Sequence, residues 1–442
     1  MRARVIGAGL AGCEASWQLA SAGIETDLYE MKPNRFSPAH GSGNFAELVC
    51  SNSLKAERTE SAAGLLKQEM RRLGSVLLPC ADLCRVPAGG ALAVDRDAFS
   101  TAVTKKISEN PLIHIHREEV VRIPEDGITV IATGPLTSDA LAAEISGLCG
   151  DSLSFYDAAA PIVTEESLDR SVIFPASRYD RGDDDAYLNC PMDKDEYERF
   201  YEALASAERA PLHGFDAADP KVYEGCMPVE VMARRGKDTL RFGPMKPVGL
   251  RDPRTGHRPW AVVQLRRENA EGTLYNLVGF QTNLKFPEQK RVFGLIPGLS
   301  RAEFARYGVM HRNTFLNSPL VLSVDFSLKN RPELFFAGQI TGVEGYMESA
   351  ASGIIAGLNA ARRTAGLPAA VPPETTMTGA LCRYAAMGGE GPFQPMGANF
   401  GILPKIEPHI RNKQERYASL SARAVEDLEI FSQSLNKQSE RG

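Results

Sequence analysis

Short apolar runs alternate with helical patterns along the start of the chain. One run ends at Ile6, a helical pattern covers Cys13–Ser21, and a second run covers Thr26–Tyr29. Two later runs, at 127–134 and 333–339, each end at or beside a glycine. Strands that alternate with helices are typical of a parallel sheet, so we expect an α/β fold.

The turn after the first run carries a glycine motif that predicts a dinucleotide site. The motif is made by Gly7, Ala8, Gly9, Leu10, Ala11 and Gly12. Its first glycine suits a tight turn, its second lets a pyrophosphate approach the backbone, and its third lets the helix pack closely on the strand. The helix N-terminus that follows favours anions. Glu30, after the second run, is placed to accept a hydrogen bond from a ribose 2′-hydroxyl, which suits an adenosine without a 2′-phosphate.

The two later apolar runs favour FAD over NAD. One ends in Gly134 and the other in Gly338-Gln339, and the small-residue pattern Ala350–Ala361 predicts a closely packed helix after the second. In FAD enzymes of the two-dinucleotide-binding-fold type, such returning strands close the cofactor site, whereas a plain NAD-dependent dehydrogenase does not need them. Either run alone could be an ordinary core strand. Many of these FAD enzymes have Asp where this chain has Gln339, so one negative charge is missing.

Two cysteines are candidates for chemistry. Cys50 ends an apolar run and is followed by Ser, Asn and Ser, whose donors could stabilise a thiolate. Cys226 lies between two glutamates in a turn with glycine and proline. Either could instead be a small buried apolar residue. Cys80 and Cys84 have the wrong spacing for the usual redox pair, and the eight cysteines lack metal-ligand spacing, so no metal site is predicted.

The net charge of −5, from 50 Lys and Arg against 55 Asp and Glu, argues against a protein that coats nucleic acid through bulk charge. It does not exclude a local basic patch. Eight cations lie within one stretch, namely Arg234, Arg235, Lys237, Arg241, Lys246, Arg251, Arg254 and Arg258. We expect the first four to contact RNA phosphates, with Trp260 or Tyr275 available to stack a base. A solvated face is the alternative.

The length of 442 residues suggests two or three domains. We expect an FAD-binding domain in two parts, residues 1–170 and 326–442, with an inserted domain at 171–325 that carries Cys226 and the basic patch. The fold class is therefore a Rossmann-like FAD domain with an inserted α+β domain. The chain has neither a secretory signal pattern nor an apolar run long enough for a membrane span, so we expect a cytoplasmic protein without membrane contact.

Several longer motifs resemble one family over about residues 3 to 430. They include VIGAGLAGCEASWQLA, FAELVCSNSLKA, YEGCMPVEVMARRG and LFFAGQITGVEGYMESAASG. Together they resemble the TrmFO family of folate- and FAD-dependent tRNA (uracil-5-)-methyltransferases. The last motif also resembles the related GidA (MnmG) flavoproteins, which modify wobble uridine, but GidA chains are much longer.

The resemblance implies roles for individual residues. The six residues of the glycine motif and Glu30 would contact the adenosine and pyrophosphate of FAD, and the flavin side would be closed by Gly338, Gln339, Thr341 and Gly342. Cys226 would be the nucleophile on uracil C6, and Cys50 would be a general base near the flavin. Cys190 also lies in a family-like stretch, without an assigned role.

The resemblance further implies a reaction. The substrates would be 5,10-methylenetetrahydrofolate and the T-loop uridine at tRNA position 54, and NADH or NADPH would reduce the FAD. Ribosomal RNA as substrate, a GidA-like modification of wobble uridine, and a flavin-dependent disulfide oxidoreductase remain as alternatives. A non-catalytic RNA-binding flavoprotein is a fourth.

Overall fold

The structure is a computed structural model that describes residues 2–37, 39–150, 153–178, 187–210, 227–389 and 393–439, without the side chains of 153–157, 311–314 and 436–439. Its strands are β1 Arg2–Ile6, β2 Glu25–Tyr29, β3 Ser53–Ala56, β4 Arg85–Val86, β5 Ala91–Val94, β6 Ile113–His116, β7 Thr129–Ile131, β8 Leu153–Ala158, β9 Ile162–Thr164, β10 Phe174–Pro175, β11 Tyr187–Met192, β12 Ala261–Arg267, β13 Leu274–Leu277, β14 Phe304–Arg306, β15 Met310–Phe315, β16 Ser327–Leu328 and β17 Arg331–Phe336. Its helices are α1 Leu10–Ser21, α2 Ala62–Arg72, α3 Leu77–Leu83, α4 Arg96–Ser108, α5 Asp139–Cys149, α6 Lys194–Ser206, α7 Val229–Arg234, α8 Thr239–Phe242, α9 Phe286–Phe293, α10 Ser318–Val321, α11 Tyr346–Thr364, α12 Met377–Met387 and α13 Lys413–Ser439.

A mainly parallel sheet forms the first core. Its strand order is β16–β17–β7–β1–β2–β6, and only β16 is antiparallel to its neighbour. The four predicted apolar runs form β1, β2, β7 and β17. Strands of a parallel sheet are covered on both faces, so their sequences are nearly continuous in apolar residues. Helix α1 begins at Leu10, three residues before the predicted start, since the end of the glycine motif is already helical. The α/β class with a Rossmann-type sheet is confirmed.

The strand order places a crevice at the carboxyl edge of this sheet. From β1 the chain continues to β2 on one side, whereas β7 pairs with β1 on the other side. Ligands of open α/β sheets bind at such a switch point, outside the carboxyl ends of the strands. The residues that follow the four central strands meet there, and they include Gly7, Glu30, Ala132 and Gly338.

Helix α11 packs against α1 with almost no space between the two backbones. A Cβ atom on Gly353 would lie 2.2 Å from the carbonyl oxygen of Ala11, and one on Gly357 would lie 2.6 Å from that of Ala15. Larger residues at these positions would push the helices apart. The small-residue pattern predicted this packing, and the contact brings the N-terminus of α11 to the glycine motif of α1.

An antiparallel sheet forms the second core. Its order is β10–β11–β12–β13–β9–β14, and α6, α7 and α9 pack on it. Large side chains fill the space between these helices and the sheet, among them Tyr197, Phe200, Phe280 and Phe293, all nearly inaccessible to solvent. This core therefore has its own apolar interior, separate from that of the parallel sheet.

Two paired strands connect the cores. The chain leaves the first core along β8 and returns along β15, and the two strands are antiparallel partners from Leu153–Phe315 to Ala158–Met310. Strand β9 already belongs to the second sheet, although its residues precede position 170. We propose the split FAD domain on the strength of these two cores, and its boundaries at 170 and 325 stay a prediction.

Candidate active site at the carboxyl edge of the parallel sheet

A cleft of about 1100 Å³, including the part open to solvent, lies at the switch point of the parallel sheet. Its walls join segments that are far apart in the chain, and the lining residues include Gly7, Gly9, Leu10, Ala11, Glu30, Lys32, Thr133, Gly134, Gly338, Gln339, Tyr346 and Ser349. The N-terminal motif and the two returning strands therefore meet in one site. A cleft of this size suits a nucleotide cofactor.

The glycine motif has the shape that a pyrophosphate needs. Gly7 has φ +100°, and a Cβ atom there would lie 2.7 Å from the carbonyl oxygen of Ala132. A Cβ atom on Gly12 would lie 1.7 Å from the carbonyl oxygen of Gly7, so α1 starts directly against the turn. No atom lies within 4 Å of the same position on Gly9, which leaves its backbone open to the cleft. Ala8 and Gly12 shape the turn from behind rather than lining the cleft.

Glu30 is buried and held by backbone groups. One carboxylate oxygen accepts the N–H of Ala8 at 2.9 Å, and the other accepts the N–H of Lys32 at 3.0 Å. An ionised carboxylate has about four acceptor positions, so it can still accept ribose hydroxyls. The buried ammonium of Lys32 donates to the carbonyl of Asn44 at 2.7 Å and pairs with Glu47 at 3.3 Å. Sequence reasoning missed Lys32, although it stands two residues after the predicted acid.

The segment after β17 divides into a lining part and a supporting part. Gly338 donates its N–H to Ser352 Oγ at 2.7 Å, and Gln339 donates its side-chain amide to Glu344. Both residues line the cleft. Thr341 donates its hydroxyl to the carbonyl of Gly338 at 2.8 Å, so it closes the turn. Gly342 lies behind this turn, and neither it nor Thr341 is among the residues that line the cleft.

Cys50 lies beside the cleft. Its neighbour Val49 lines the cleft, and so does Tyr346, whose hydroxyl accepts the N–H of Cys50 at 2.7 Å and that of Ser51 at 3.2 Å. Burial raises the pKa of Tyr346, so this hydroxyl stays protonated. The Cys50 sulfur lies 3.7 Å from the carbonyl oxygen of Ala158, the last residue of β8. The thiol therefore stands where the cleft, α11 and the connecting strands meet.

Arg96 binds the backbone on both sides of Val49. Its guanidinium donates to the carbonyl of Leu48 at 3.1 Å and to that of Cys50 at 2.9 Å. The same group forms an ion pair with Glu268 at 2.7 Å, and the two side chains are only 13% and 3% exposed. Glu268 belongs to the second core, so one arginine joins the loop at the cleft to both cores.

Two arginines from the second core bind the same loop. Arg306 donates to the carbonyl of Val49 at 2.7 Å. Arg266 donates to Ser51 Oγ at 2.8 Å and to the side-chain oxygen of Asn52 at 2.9 Å. We call residues 48–52 the Cys50 segment. No sequence signal identified the three arginines. The hydrogen-bond partners of Arg266 and Arg306 lie more than 200 positions away in the chain, and the ion-pair partner of Arg96, Glu268, belongs to the other core.

Comparisons with known proteins identify the family. A family model described as glucose inhibited division protein A matches residues 2–368. The methylenetetrahydrofolate–tRNA-(uracil-5-)-methyltransferase TrmFO of Desulfitobacterium hafniense strain Y51 is 62% identical over 429 residues, which is 97% of this chain and 98% of that protein. The TrmFO of Pelotomaculum thermopropionicum is 59% identical over 432 residues, 98% of each chain. This chain belongs to the TrmFO family.

The fold of this TrmFO-family chain is also that of a solved relative. The structure of Aquifex aeolicus GidA superposes with a TM-score of 0.69 at 16% sequence identity, and it covers 100% of this chain and 76% of the GidA chain. At this identity the similarity concerns the fold alone. It agrees with the family model and with the expectation that GidA chains are longer.

The other thiols of this TrmFO-family chain differ from Cys50. Cys226 lies outside the described residues, and its role stays a prediction. Cys190 is fully buried in β11, and burial raises its pKa strongly. Burial also raises the pKa of Cys80 to about 11 and raises that of Cys84. A redox pair needs an accessible thiolate, so this pair gives no support to the disulfide oxidoreductase alternative.

The cations between 234 and 258, which we call the basic surface, are partly neutralised within this TrmFO-family chain. Lys237 pairs with Glu198 at 2.9 Å, and Arg241 pairs with Asp238 at 2.8 Å. Arg234, Arg235 and Lys237 are exposed, whereas Arg241 is half-buried. Lys237 and Arg241 thus already have acidic partners, and the contact of all four cations with RNA stays a prediction.

The aromatic residues near the basic surface correct one expectation. Tyr275 is only 3% exposed, because its side chain on β13 packs into the second core, so the prediction that it could stack a base is wrong. Trp260 is 37% exposed, and the guanidinium of Arg241 lies 3.7 Å from its ring centre. Phe242, which sequence reasoning missed, is 83% exposed at the end of α8. The sequence signal for it would have been a phenylalanine within a run of basic residues, a combination typical of nucleic-acid contacts.

Among the described residues, no group of three or more His, Cys, Asp or Glu side chains is arranged to hold a metal ion. No helix within the same ranges combines the length and apolarity that crossing a membrane requires.

Proposed function

We propose that this chain is a methylenetetrahydrofolate–tRNA-(uracil-5-)-methyltransferase. It transfers a one-carbon unit from 5,10-methylenetetrahydrofolate to C5 of the T-loop uridine at tRNA position 54 and yields 5-methyluridine. The observation that carries the proposal is the position of Cys50, at the edge of a cleft built like an FAD site, in a chain 62% identical to a relative of that name.

The residues of the cleft fit FAD. The open backbone at Gly9 and the N-terminus of α1 would hold the pyrophosphate, and Glu30 would bind the adenosine ribose. Gly338 and Gln339 would hold the flavin half, and the Gln339 amide can hydrogen-bond without adding a charge. When bound, FAD supplies the carrier of the one-carbon unit and, after reduction by NADH or NADPH, the hydride that completes the methyl group.

Two cysteines divide the chemistry on uracil. The thiolate of Cys226 adds to C6, and the C6–S bond turns the ring into an enolate whose C5 can attack an electrophilic one-carbon unit. C5 then carries both its original hydrogen and the new carbon, so that hydrogen must leave as a proton. Cys50, as the general base, would take this proton. The new carbon would then part from its carrier and accept the hydride, and only afterwards would loss of the Cys226 thiolate from C6 restore the ring. The protein's part is to hold the two thiols and exclude water.

The RNA would be held through its phosphates. A stacked uridine hides C6, so the target base has to turn out into the cleft. Arg234, Arg235 and Lys237 would contact the backbone, while Arg241 supports the ring of Trp260 for a stacked base. A tRNA substrate also favours a cytoplasmic location.

An assay of the purified protein tests the reaction. With FAD, NADPH or NADH, methylenetetrahydrofolate and an unmodified tRNA transcript, we expect 5-methyluridine at position 54, and no product when the folate or the reductant is missing. Product on ribosomal RNA alone would overturn the tRNA assignment and leave the chemistry. Product at the wobble uridine would favour the GidA-like alternative.

A second experiment tests the nucleophile. The parent protein should form a covalent adduct with tRNA that contains 5-fluorouridine, and Cys226→Ala should not. Cys84→Ala is the matched control, and it should form the adduct as the parent does. An adduct that persists in Cys226→Ala would move the nucleophile elsewhere, with Cys50 as the next residue to change.

A further inference from the structure

The Cys50 segment is bound at every residue by a side chain from another part of the chain. The carbonyls of Leu48 and Cys50 accept from Arg96, and that of Val49 accepts from Arg306. The side chains of Ser51 and Asn52 accept from Arg266. The segment is partly buried, with Leu48 and Asn52 nearly inaccessible to solvent, so its carbonyls need partners. Water or neutral amides would satisfy them at a lower cost of desolvation than three guanidinium groups.

The charges around the segment do not balance. Of the three arginines, Arg96 has the buried Glu268 as its ion-pair partner, whereas every hydrogen bond described for Arg266 and Arg306 goes to a neutral oxygen. Burial lowers the pKa of Arg306, which reflects the cost of placing this cation there. The charge of Glu268 acts on all three arginines, so a single buried carboxylate faces three cations. Such an excess of buried positive charge is typical of functional sites rather than of stability.

We propose that Arg96, Arg266 and Arg306 are positioning residues for Cys50, so that the second core sets the place of the thiol beside the cleft. The inference rests on the proposed role of Cys50 as the base. Arg266 and Arg306 come from strands β12 and β14 of the second sheet, and Arg96 is held by Glu268 just after β12. The core that is predicted to carry Cys226 thus also holds the second thiol.

Further contacts fix the same junction. The side-chain amide of Asn52 donates to the carbonyl of Arg267 at 2.8 Å. Asp95, the N-cap of α4, accepts the N–H of Ala98 with one oxygen and the N–H of Ala270 with the other, at 2.9 and 3.0 Å. On the opposite side, the Tyr346 hydroxyl accepts the N–H groups of Cys50 and Ser51. The segment is therefore held between α11 and the second core, and its thiol has little freedom to shift.

The geometry explains why arginine stands at position 96. One planar guanidinium reaches two carbonyls and a carboxylate at once, which the single ammonium of lysine cannot do. Arg306, by contrast, makes one described hydrogen bond to the segment, and a lysine could replace that contact. Lysine keeps the positive charge at both positions, so a change caused by Arg→Lys reports on position rather than on charge.

The test measures the reactivity of Cys50 in the folded protein. The full-length variants Arg96→Lys, Arg306→Lys and Arg306→Met are treated with iodoacetamide, and the alkylation rate of the Cys50 peptide is followed by mass spectrometry. We expect Arg96→Lys and Arg306→Met to speed the alkylation at least five-fold, because the loosened segment exposes the thiol, and Arg306→Lys to change it less than two-fold. Arg331→Lys is the control. This half-buried arginine begins β17 and donates to the carbonyl of Pro124, so its replacement should leave the alkylation rate of Cys50 unchanged.

Methylation kinetics separate positioning from folding. For Arg96→Lys we expect kcat to fall at least ten-fold, KM for tRNA to stay within two-fold, and the 5-fluorouridine adduct to form as in the parent. Alkylation and kcat within two-fold of the parent in both Arg96→Lys and Arg306→Met would overturn the proposal, and Arg306→Met alone decides if Arg96→Lys does not fold. Full methylation by Cys50→Ala would instead remove the proposed role of Cys50, while the alkylation rates would still judge the positioning.

Discussion

Two groups of arginines in this molecule lie in different environments. Most of those of the basic surface, such as Arg234 and Arg235, are exposed to solvent. Those around the Cys50 segment are largely buried, and they donate to backbone carbonyls and neutral side chains of a single loop. The first group crowds one stretch of sequence and stands out as a run of charge. The second is spread from position 96 to 306, so charge counting cannot find it.

The difference shows which cations should affect the stability of the folded chain and which should affect only the binding of a partner. An exposed cation keeps its hydration, so its removal costs the folded chain little, and its value appears only when a polyanion arrives. A buried cation has exchanged its hydration for fixed protein partners, so its removal leaves those partners unsatisfied. We therefore expect the same residue type to serve recognition in one place and, as proposed, alignment in the other.

The largest effect should come from removing a buried cation. Arg96→Met leaves the buried carboxylate of Glu268 without its ion pair and two carbonyls without donors, so we expect the free energy of unfolding to fall by about 3–5 kcal/mol. Urea titration followed by circular dichroism measures it. Lys237→Met, which breaks an exposed ion pair of the basic surface, should leave the unfolding curve in place. Equal losses in the two variants would break the comparison.

A smaller effect, on the pH dependence of the free energy of unfolding, should come from a buried carboxylate that has no arginine beside it. Burial raises the pKa of Glu69 to about 7, although hydrogen bonds from Thr378 and Met377 act in the opposite direction and lower it. Because its pKa in the folded chain lies above the unfolded value of 4.5, its stabilising contribution is complete below pH 4.5 and is lost as pH rises through 7. Glu69 should contribute a fall of up to about 3 kcal/mol in the free energy of unfolding between pH 5 and 8, and Glu69→Gln should remove this part of the slope. Glu14, whose pKa burial also raises to about 7, keeps its own part.

The control for that slope is an exposed carboxylate. The side-chain hydrogen bond and the charge of Arg2 lower the pKa of Glu25, so this group stays ionised from pH 5 to 8 in both states. Glu25→Gln should therefore keep the slope of the parent. A slope unchanged in Glu69→Gln would show that Glu69 is ionised in the folded chain throughout this range.

The smallest effect on the chain, but a clear one on its partner, should come from the basic surface. Arg234→Ala with Arg235→Ala should leave unfolding unchanged and weaken tRNA binding several-fold, with a loss of about 1 in the salt slope for each phosphate contact removed. Filter binding at several salt concentrations measures both quantities. Lys105→Ala, an exposed lysine on α4, is the control and should keep the parent's affinity. Unchanged affinity in the double variant would return the basic surface to a solvated face.

What the sequence could predict depends on how far each signal reaches along the chain. The roles of Gly7 and Gly12 follow from a turn of six residues, and the close contact of Gly353 with α1 follows from a run of small side chains. Tyr275 was misjudged because nothing local shows which face of β13 is covered. The contact of Arg266 with Ser51 spans 215 positions and depends on how the two sheets meet.

The two connecting strands have a consequence for protein engineering. Because Ala158 and Met310 are direct partners in an antiparallel ribbon, the chain enters and leaves the second core at nearly the same point. A short turn could therefore join these residues and replace everything between them, as in a domain transplant. Such a graft would keep the cleft but remove Arg266, Glu268 and Arg306, so it would yield a nucleotide-binding scaffold whose Cys50 segment has lost its outer support.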